Sequence, residues 1–366
     1  MTRVIDADGH ICEPHALWDD YVERAHRHDT IRVARDADGQ DYLWINGEQR
    51  RELLPASACI PDGMDPANRY TWDDILPGSH DGAARVAVLD QEGIERSLLF
   101  PSLYLLAGDI ARPKTAAAAC NAYNRWIADM CAAGGGRLHG VGIVPLADPT
   151  RARAEVDAIA GLGLAGVCFR PERYDGLALS DARLDPFWDA VQGAGLFAAV
   201  HGSFGSRMPS FATARYDNMF FTHMICHPFE QMAAVLDIIC GGVLDRHRGL
   251  KVAFLESGLG WLDYWLGRMD EHFEVMGGRV PGLKRRPSEQ FRAQCAISIE
   301  ADEARKLPRM AELGLIGNIF WGADYPHYDC TFPGAATELT DHLAPLDAEL
   351  KAPILYRNAA RLLGLD

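Results

Sequence analysis

The stretch that decides the fold lies almost at the start of the chain and reads Val4-Ile5-Asp6-Ala7-Asp8-Gly9-His10-Ile11-Cys12-Glu13-Pro14. Residues 4–7 predict a short apolar strand, which then runs into polar residues and a glycine. Because residues two apart in a strand point to the same side, Asp8 and His10 are expected to project together from its carboxyl end. A carboxylate beside an imidazole is half of a site for a divalent metal. A simple hydrogen bond between the two side chains is the alternative.

Seven further apolar runs follow this strand, and segments with helical spacing separate most of them. The eight predicted strands cover residues 4–7, 96–101, 138–146, 165–171, 196–201, 250–255, 296–299 and 318–322. Continuous apolar runs are typical of parallel strands that are covered on both faces. Eight strand–helix units predict an α/β fold, a closed (β/α)₈ barrel of the TIM type that forms one domain over residues 1–366. An open doubly wound sheet is the alternative, but no Gly-x-Gly-x-x-Gly motif follows an early strand.

A long insertion, at about residues 15–85, separates the first two predicted strands. Within it, residues 41–45 alternate between polar and apolar, and Asn46-Gly47 follows them, which predicts a β-hairpin. The part after the hairpin is rich in proline, glycine and aspartate and predicts irregular loops. Because loops of this length in a compact domain often cover an active site, we expect the insertion to shape a pocket.

The balance of charges excludes some classes of partner. The chain has 366 residues, of which 36 are basic and 51 acidic, and its formal charge is −15. Binding to nucleic acid or to an anionic membrane needs a basic face, so we expect neither. We expect a small-molecule substrate, which can be an acid, because a local arginine or metal overrides the overall field. The lack of a signal peptide or membrane span predicts a cytoplasmic protein, with nine scattered cysteines as free thiols.

Polar residues mark the carboxyl ends of the predicted strands, where barrels of this type carry their active sites. Asp8 and His10 end the first strand, and His201 ends the fifth. The eighth strand runs into Ala323-Asp324-Tyr325-Pro326-His327. Two carboxylates and two histidines therefore converge from strands one, five and eight. This is a ligand set for zinc or another divalent first-row metal.

The first-strand motif, His201 and the sequence Gly322-Ala323-Asp324-Tyr325-Pro326 together resemble the amidohydrolase superfamily, and most closely its amidohydrolase-2 branch. That branch includes aminocarboxymuconate-semialdehyde decarboxylase and the resorcylate-type decarboxylases. The resemblance covers nearly the whole chain and implies a TIM-like barrel with one divalent metal, Zn²⁺ first and Mn²⁺ or another first-row ion next. It implies that Asp8, His10 and His201 bind the metal, and that Asp324 binds it or handles a proton. It also implies a homodimer.

Two positions depart from the pattern of that superfamily. Binuclear members carry a metal-bridging lysine at the end of strand four, where this chain has Arg170. A guanidinium cannot ligate a metal, but it can pair with a substrate carboxylate; an ion pair with Glu172 is the alternative. Many members carry a catalytic histidine after strand six, where this chain has Glu256. Glu256 can serve as a general acid or base, or it can orient a histidine.

Nearby side chains supply further candidates for catalysis and substrate binding. His223 and His227 precede the helix that leads into strand six, and either can reach a metal-bound substrate in place of the missing histidine. For His227, packing at a helix start is the alternative. Tyr325 and His327 are predicted substrate contacts, because they lie just past Asp324.

Three functions fit these residues. The main prediction is hydrolysis of a C–N, C–O or C–C bond in a small carbonyl or carboxylate substrate by metal-activated water, with Asp324 as the base and Glu256 or His227 as the acid. The first alternative is non-oxidative decarboxylation of an aromatic or unsaturated acid, in which the metal and Arg170 hold the carboxylate and Asp324 protonates the carbon. The second alternative is an inactive barrel that binds a ligand, against which the four intact ligand positions argue.

Overall fold

The computed structural model describes residues 3–64 and 69–365. Its central element is an eight-stranded sheet whose paired neighbours run parallel and follow one another in chain order. We number these strands as barrel strands 1 to 8: Ile5–His10, Arg96–Phe100, Leu138–Ile143, Gly166–Phe169, Phe197–His201, Lys251–Leu255, Cys295–Ile299 and Ile319–Trp321. The predicted (β/α)₈ barrel is confirmed.

The sheet closes where the chain beyond barrel strand 8 meets barrel strand 1. The Asp324 amide donates to the Asp8 carbonyl at 2.8 Å, and the His10 amide donates to the Tyr325 carbonyl at 2.8 Å. Gly322 permits this approach, because a Cβ atom on it would lie 2.1 Å from the Cβ of Asp8. Backbone hydrogen bonds therefore fix the two ends of the predicted metal site relative to each other.

Helices surround the barrel, and several begin where the sequence signals a start. The Asp81 carboxylate accepts from the Ala84 amide at 2.7 Å, and Pro113 and Pro149 occupy first turns. The α-helices of the barrel layer lie at Gly82–Glu92, Pro113–Ala132, Pro149–Gly161, Asp185–Gly193, Met219–Cys226, Pro228–Cys240, Val243–Arg246, Leu262–Met276, Pro287–Gln294, Leu307–Glu312, Ala335–Leu343, Ala348–Ala352 and Asn358–Leu362. Short 3₁₀ segments include Leu103–Asp109 and Ala301–Lys306, and π turns lie at Leu17–Tyr21 and Pro353–Arg357.

Side chains of a barrel strand alternate between two apolar layers. In barrel strand 5, Phe197 and Ala199 pack in the barrel interior, whereas Ala198 and Val200 pack in the layer that the strands share with the helices. The same period of two turns His201 toward the interior at the end of the strand. The alternation thus carries an imidazole to the mouth of the barrel.

The insertion between barrel strands 1 and 2 contains a small second sheet. Its antiparallel strands are Arg32–Arg35, Asp41–Ile45 and Glu48–Arg50, so the hairpin predicted at Asn46-Gly47 is confirmed. The strand Arg32–Arg35 was not assigned from the sequence, and the short helix Pro55–Ala58 lies in the part that was predicted as loop. Part of the predicted loop, at residues 65–68, lies outside the described residues.

The cysteines and the helices agree with two simple expectations. Six cysteines are buried and three are half-buried, and all nine are free thiols, as predicted. Among the described helices, none combines the length and the hydropathy that a bilayer crossing requires.

Candidate active site

Three side chains from two barrel strands converge at the mouth of the barrel. The Nε2 atoms of His10 and His201 lie 3.1 Å apart. Asp8 Oδ1 lies 3.7 Å from Nε2 of His10 and 3.4 Å from Nε2 of His201. All three side chains are buried. The strand-end pattern in the sequence therefore predicted a real cluster.

Backbone carbonyls orient the two imidazoles. Nδ1 of His10 donates to the Pro101 carbonyl at 2.9 Å, and Nδ1 of His201 donates to the Gly202 carbonyl at 2.7 Å. Both Nε2 atoms are left with a lone pair, as in most metal-binding histidines. Burial, followed by the neighbouring His327, lowers the pKa of His10 well below its usual value. The His10 ring is therefore neutral and able to ligate.

Two carboxylates face these nitrogens. The Ser298 hydroxyl donates to Asp8 Oδ2 at 2.9 Å, but Asp8 Oδ1 accepts no hydrogen bond from the described residues. Asp324 Oδ1 lies 3.3 Å from His10 Nε2 and likewise accepts no well-aligned hydrogen bond within the described part of the chain. Buried oxygens without a partner are rare in proteins, so each calls for an explanation.

Asp8, His10 and His201 form a group that could hold one divalent metal ion. Ligand atoms about 2.1 Å from one ion lie about 3.0–3.5 Å apart, and the contacts within this group measure 3.1–3.7 Å. Asp324 lies 3.3 Å from His10 Nε2, in an adjoining group that shares His10. A cation bound between the two groups would satisfy both carboxylate oxygens that accept no hydrogen bond, and the nitrogen and oxygen donors suit zinc or manganese. The four predicted ligands thus lie near one another, and their binding of a metal stays a prediction.

Two carboxylates at this mouth stand on strained backbone. Glu256 has φ of +47° and Asp324 has φ of +54°, in the left-handed region. This conformation costs a residue with a side chain about 1 kcal/mol or more. Such strain persists where surrounding structure imposes it, and it is concentrated at functional sites. Here it turns both carboxyl groups toward the imidazoles.

Glu256 joins the metal-binding group to a second pair of histidines. Its Oε2 atom lies 3.7 Å from Nε2 of His201, and its Oε1 atom lies 3.5 Å from Nδ1 of His227. Burial and the nearby carboxylate of Asp324 raise the pKa of Glu256 well above its usual value. The carboxyl group can therefore hold a proton at neutral pH and donate a hydrogen bond.

His227 and His223 line the same side of the site. Both ring nitrogens of His227 are buried and have no hydrogen-bond partner among the described residues. Burial, followed by the neighbouring His223, lowers the pKa of His227 well below its usual value. Nε2 of His223 lies 3.1 Å from the Tyr328 hydroxyl. His227 is therefore free to bond a molecule that enters the site.

One cavity opens onto Glu256, His223 and His227, whereas Asp324 lines a separate pocket. Its polar wall includes His223, His227, Glu256, His327, Tyr328 and Asp329. Its apolar wall includes Leu53, Leu54, Met64, Leu103, Leu106 and Phe204. Leucines and a methionine of the insertion thus form part of the pocket.

His327 is held in a chain of polar contacts. The Ser102 hydroxyl donates to the Ile11 carbonyl at 2.6 Å, so its oxygen accepts from Nε2 of His327 at 2.8 Å. Nδ1 of His327 then lies 2.8 Å from Asp324 Oδ1. The predicted position of His327 in the site is therefore found, and the ring faces a carboxylate of the metal group.

Arg170 does not face the cavity, which corrects its predicted role as a substrate contact. Its Nε donates to Glu172 Oε2 at 3.0 Å, and its Nη2 donates to the Ser203 carbonyl at 2.9 Å as well as to Glu172 Oε1. Both members of the pair are buried. The structural ion pair, which was the alternative for Arg170, fits these contacts.

Tyr325 also lies outside the cavity wall, contrary to its predicted role. Its ring packs against the Arg85 guanidinium, 4.7 Å from the ring centroid, and against Phe332, 4.6 Å between centroids. The left-handed turn at Asp324 redirects the chain, so the next side chain points away from the site. Tyr328, which sequence reasoning did not single out, lines the cavity instead.

Glu13 is a site residue that sequence reasoning missed. Its carboxylate accepts from three successive backbone amides, those of Ser102 at 3.2 Å, Leu103 at 3.0 Å and Tyr104 at 3.0 Å. It thereby fixes the loop after barrel strand 2, which carries the Ser102 hydroxyl and part of the apolar wall. The signal available was its place in the opening motif, directly before a proline.

Comparisons with known proteins agree with this geometry. The 2-amino-3-carboxymuconate-6-semialdehyde decarboxylase of Dictyostelium discoideum is 23% identical over 291 residues, which cover 78% of this chain and 77% of the relative. A solved amidohydrolase from Mycobacterium avium subsp. paratuberculosis K-10 has a TM-score of 0.83 at 24% identity, over 99% of both chains. The 5-carboxyvanillate decarboxylase of Novosphingobium aromaticivorans DSM 12444 was solved with manganese and 4-hydroxy-3-methoxy-5-nitrobenzoic acid. It has a TM-score of 0.72 at 17% identity, over 100% of this chain and 96% of the other.

A family model covers almost the entire sequence. The model described as Amidohydrolase, for the second amidohydrolase group, matches residues 5–365. The match includes the opening motif, His201 and the segment after barrel strand 8, which carried the resemblance in the sequence. The chain therefore belongs to the amidohydrolase family, in its amidohydrolase-2 branch.

Proposed function

We propose that this protein is a metal-dependent, non-oxidative decarboxylase, a carboxy-lyase that acts on a small aromatic or unsaturated acid. The observation that carries the proposal is the cavity, whose largely apolar wall ends at Glu256 and His327, which lie 3.7 Å from His201 and 2.8 Å from Asp324. Apolar walls suit a ring or an unsaturated chain, and a metal suits the oxygens of its carboxylate. The decarboxylases among the similar proteins support this alternative over hydrolysis, the main prediction from the sequence.

Asp8, His10, His201 and Asp324 would hold the ion, one per chain. When bound, the metal supplies Lewis-acid polarisation of the substrate oxygens and holds them in place. The manganese in the carboxyvanillate decarboxylase supports Mn²⁺. Zn²⁺, which was predicted first, suits the same donors.

Asp324 is the proposed proton donor. Its carboxyl group faces His327 at the mouth of the barrel, and in the metal-free protein burial, followed by the nearby carboxylates of Asp329 and Asp8, raises the pKa of Asp324 well above its usual value. A bound cation would favour the carboxylate, so the proton would be carried on the oxygen that the ion leaves free. The proton passes to the substrate carbon that bears the carboxylate. The bond between this carbon and the carboxylate carbon breaks, so CO₂ leaves and a hydrogen takes the place of the carboxylate. Because Nε2 of His327 donates to Ser102, its Nδ1 can accept a hydrogen bond from a protonated Asp324, whose Oδ1 lies 2.8 Å away, and so hold that proton in place.

His227 and Glu256 are proposed to position the acid. The nitrogens of His227 lack partners among the described residues, so one of them can bond a substrate oxygen. Glu256 Oε1 lies 3.5 Å from Nδ1 of His227, so a protonated Glu256 can donate a second hydrogen bond to the same substrate. His223 and Tyr328 extend this polar side of the pocket.

The test is release of CO₂ from a panel of hydroxybenzoic and unsaturated acids by the Mn²⁺-loaded protein. We expect at least one acid to lose CO₂, and in D₂O the product should carry a single deuterium at the vacated carbon. Esters, amides and lactones are assayed in parallel, and metal-stripped protein is the control. Turnover of one of these compounds without CO₂ release from any acid would favour hydrolysis instead.

A further inference from the structure

We infer that the acid decarboxylated here carries a single anionic group, and that its part remote from the metal is uncharged and apolar. The inference rests on the proposed function and deepens it by naming the substrate class. It concerns the end of the cavity that lies away from the metal-binding donors.

The remote part of the cavity offers no fixed positive charge. No lysine or arginine occurs among the described residues that line it. The four residues of the insertion that lie outside the described part are Asp65, Pro66, Ala67 and Asn68, so the sequence adds no basic side chain there. The walls beyond the metal end are formed by side chains such as Leu53, Leu54 and Phe204.

Three arginines contact residues of this wall, but none of them lines the cavity, and each is paired with a carboxylate of the protein. The pairs, at 3.0–3.2 Å, are Arg50 with Asp109, Arg170 with Glu172, and Arg207 with Glu52. The nitrogens of Arg50 and Arg170 that have no partner among the described residues are buried away from the cavity. A second substrate carboxylate would therefore have to draw an arginine out of an existing pair, which is unfavourable.

Two carboxylates also line the cavity wall: Glu52, which Arg207 pairs, and Asp329. The histidines that could attract an anion lie at the metal end, where His327 faces Asp324 at 2.8 Å and His227 faces Glu256 at 3.5 Å. A second carboxylate would therefore lose its hydration among leucines and carboxylates, without a partner.

This substrate class differs from those named for two of the similar decarboxylases. The names carboxyvanillate and aminocarboxymuconate semialdehyde each specify a carboxyl group in addition to the one implied by the parent acid. A 2,6-dihydroxybenzoate decarboxylase, which is also similar in fold, is named for an acid with one carboxyl group. The inference thus separates this chain from the first two relatives by the lack of a cation on the cavity wall.

A matched pair of acids tests the inference. One is 2,4-dihydroxy-6-propylbenzoic acid, and the other has a 2-carboxyethyl chain in place of propyl, with nearly the same shape and one more charge. We expect kcat/KM for CO₂ release from the propyl acid to exceed that of the diacid by about 100-fold. Equal kcat/KM values for the two acids would overturn the inference.

A variant with an added charge makes the test specific to the cavity wall. Leu54 lines the cavity and is 41% exposed, so Leu54→Arg should be tolerated. The added guanidinium can pair with the second carboxylate, so the ratio of kcat/KM between the propyl acid and the diacid should fall by about tenfold. Leu236 has the same 41% exposure but does not line the cavity, so Leu236→Arg is the matched control and should leave the preference unchanged. If both variants changed the ratio of kcat/KM to the same extent, the assignment of Leu54 to the substrate-binding wall would be contradicted.

Failure of the proposed function remains distinguishable from failure of the inference. If neither acid releases CO₂, both are titrated calorimetrically into the Mn²⁺-loaded wild-type protein. Tighter binding of the propyl acid would then support the inference while the proposed reaction is rejected. Equal affinities, or no binding of either acid, would overturn the inference itself.

Discussion

Asp324→Asn is expected to lower kcat for CO₂ release by about 10³-fold while the protein stays folded, because an amide cannot give a proton to the substrate carbon. The amide keeps the shape of the side chain, and it keeps one oxygen beside His10. The measurement is kcat at saturating acid and saturating Mn²⁺, together with the metal content and the far-UV circular dichroism spectrum.

The matched control for this change is Asp341→Asn, which alters an exposed carboxylate on the helix Ala335–Leu343. It should leave kcat unchanged. If Asp324→Asn kept kcat within about tenfold of the wild type with metal bound, the proton would have to come from another group. Glu256, whose pKa burial raises, would then be the next candidate.

His10→Ala is expected to remove most of the bound metal and, with it, the activity. His10 Nε2 is the donor closest to two others, at 3.1 Å from His201 and 3.3 Å from Asp324, so its loss opens the centre of the ligand set. We expect metal content to fall below about a tenth of an equivalent after dialysis. Inductively coupled plasma mass spectrometry of the purified variant measures it.

A second readout of His10→Ala does not depend on activity. For the wild type, free Mn²⁺ at about 100 times its dissociation constant should stabilise the fold by about 2.7 kcal/mol, because it binds only the folded state. The variant should show no such gain in a thermal denaturation series. His342→Ala, which changes an exposed histidine, is the control and should behave as the wild type. A variant that retained full metal and activity would refute the ligand assignment.

The sequence was a good guide to the barrel and to the side chains that converge at its mouth, for a physical reason. Parallel strands buried on both faces leave continuous apolar runs, and the residue that follows each run lies at the barrel mouth. Asp8, His10 and His201 could therefore be placed together without knowledge of side-chain conformations. The position of Asp324 beside them could also be predicted, because barrel strand 8 is the neighbour of barrel strand 1 in a closed barrel.

Side chains whose direction depends on a local turn could not be placed in this way. Tyr325 and Tyr328 both follow Asp324 closely, and the backbone of the turn that begins with a positive φ at Asp324 places Tyr328, not Tyr325, on the cavity wall. Arg170 follows the end of a strand, as an active-site residue would, but its guanidinium pairs with the carboxylate of Glu172, two positions later. Pairing of this kind depends on rotamers, which strand periodicity does not specify.

Helices without a clear apolar face were also missed. The helix Met219–Cys226 exposes several large apolar side chains, among them Phe220 at 69% and Met224 at 59%, so its sequence lacks the alternation of an amphipathic helix. The helix Pro287–Gln294 is short and rich in polar residues.

The homodimer and the cytoplasmic location stay predictions.

The most direct test of the central claim is a titration of metal-free protein with Mn²⁺ while CO₂ release is recorded. The account predicts a rate near zero without metal, a linear rise and a plateau at one equivalent per chain. The variant His10→Ala should give no rise over the same range. Decarboxylation that is independent of added metal, or a fully loaded protein that releases no CO₂ from any acid of the panel, would contradict the account.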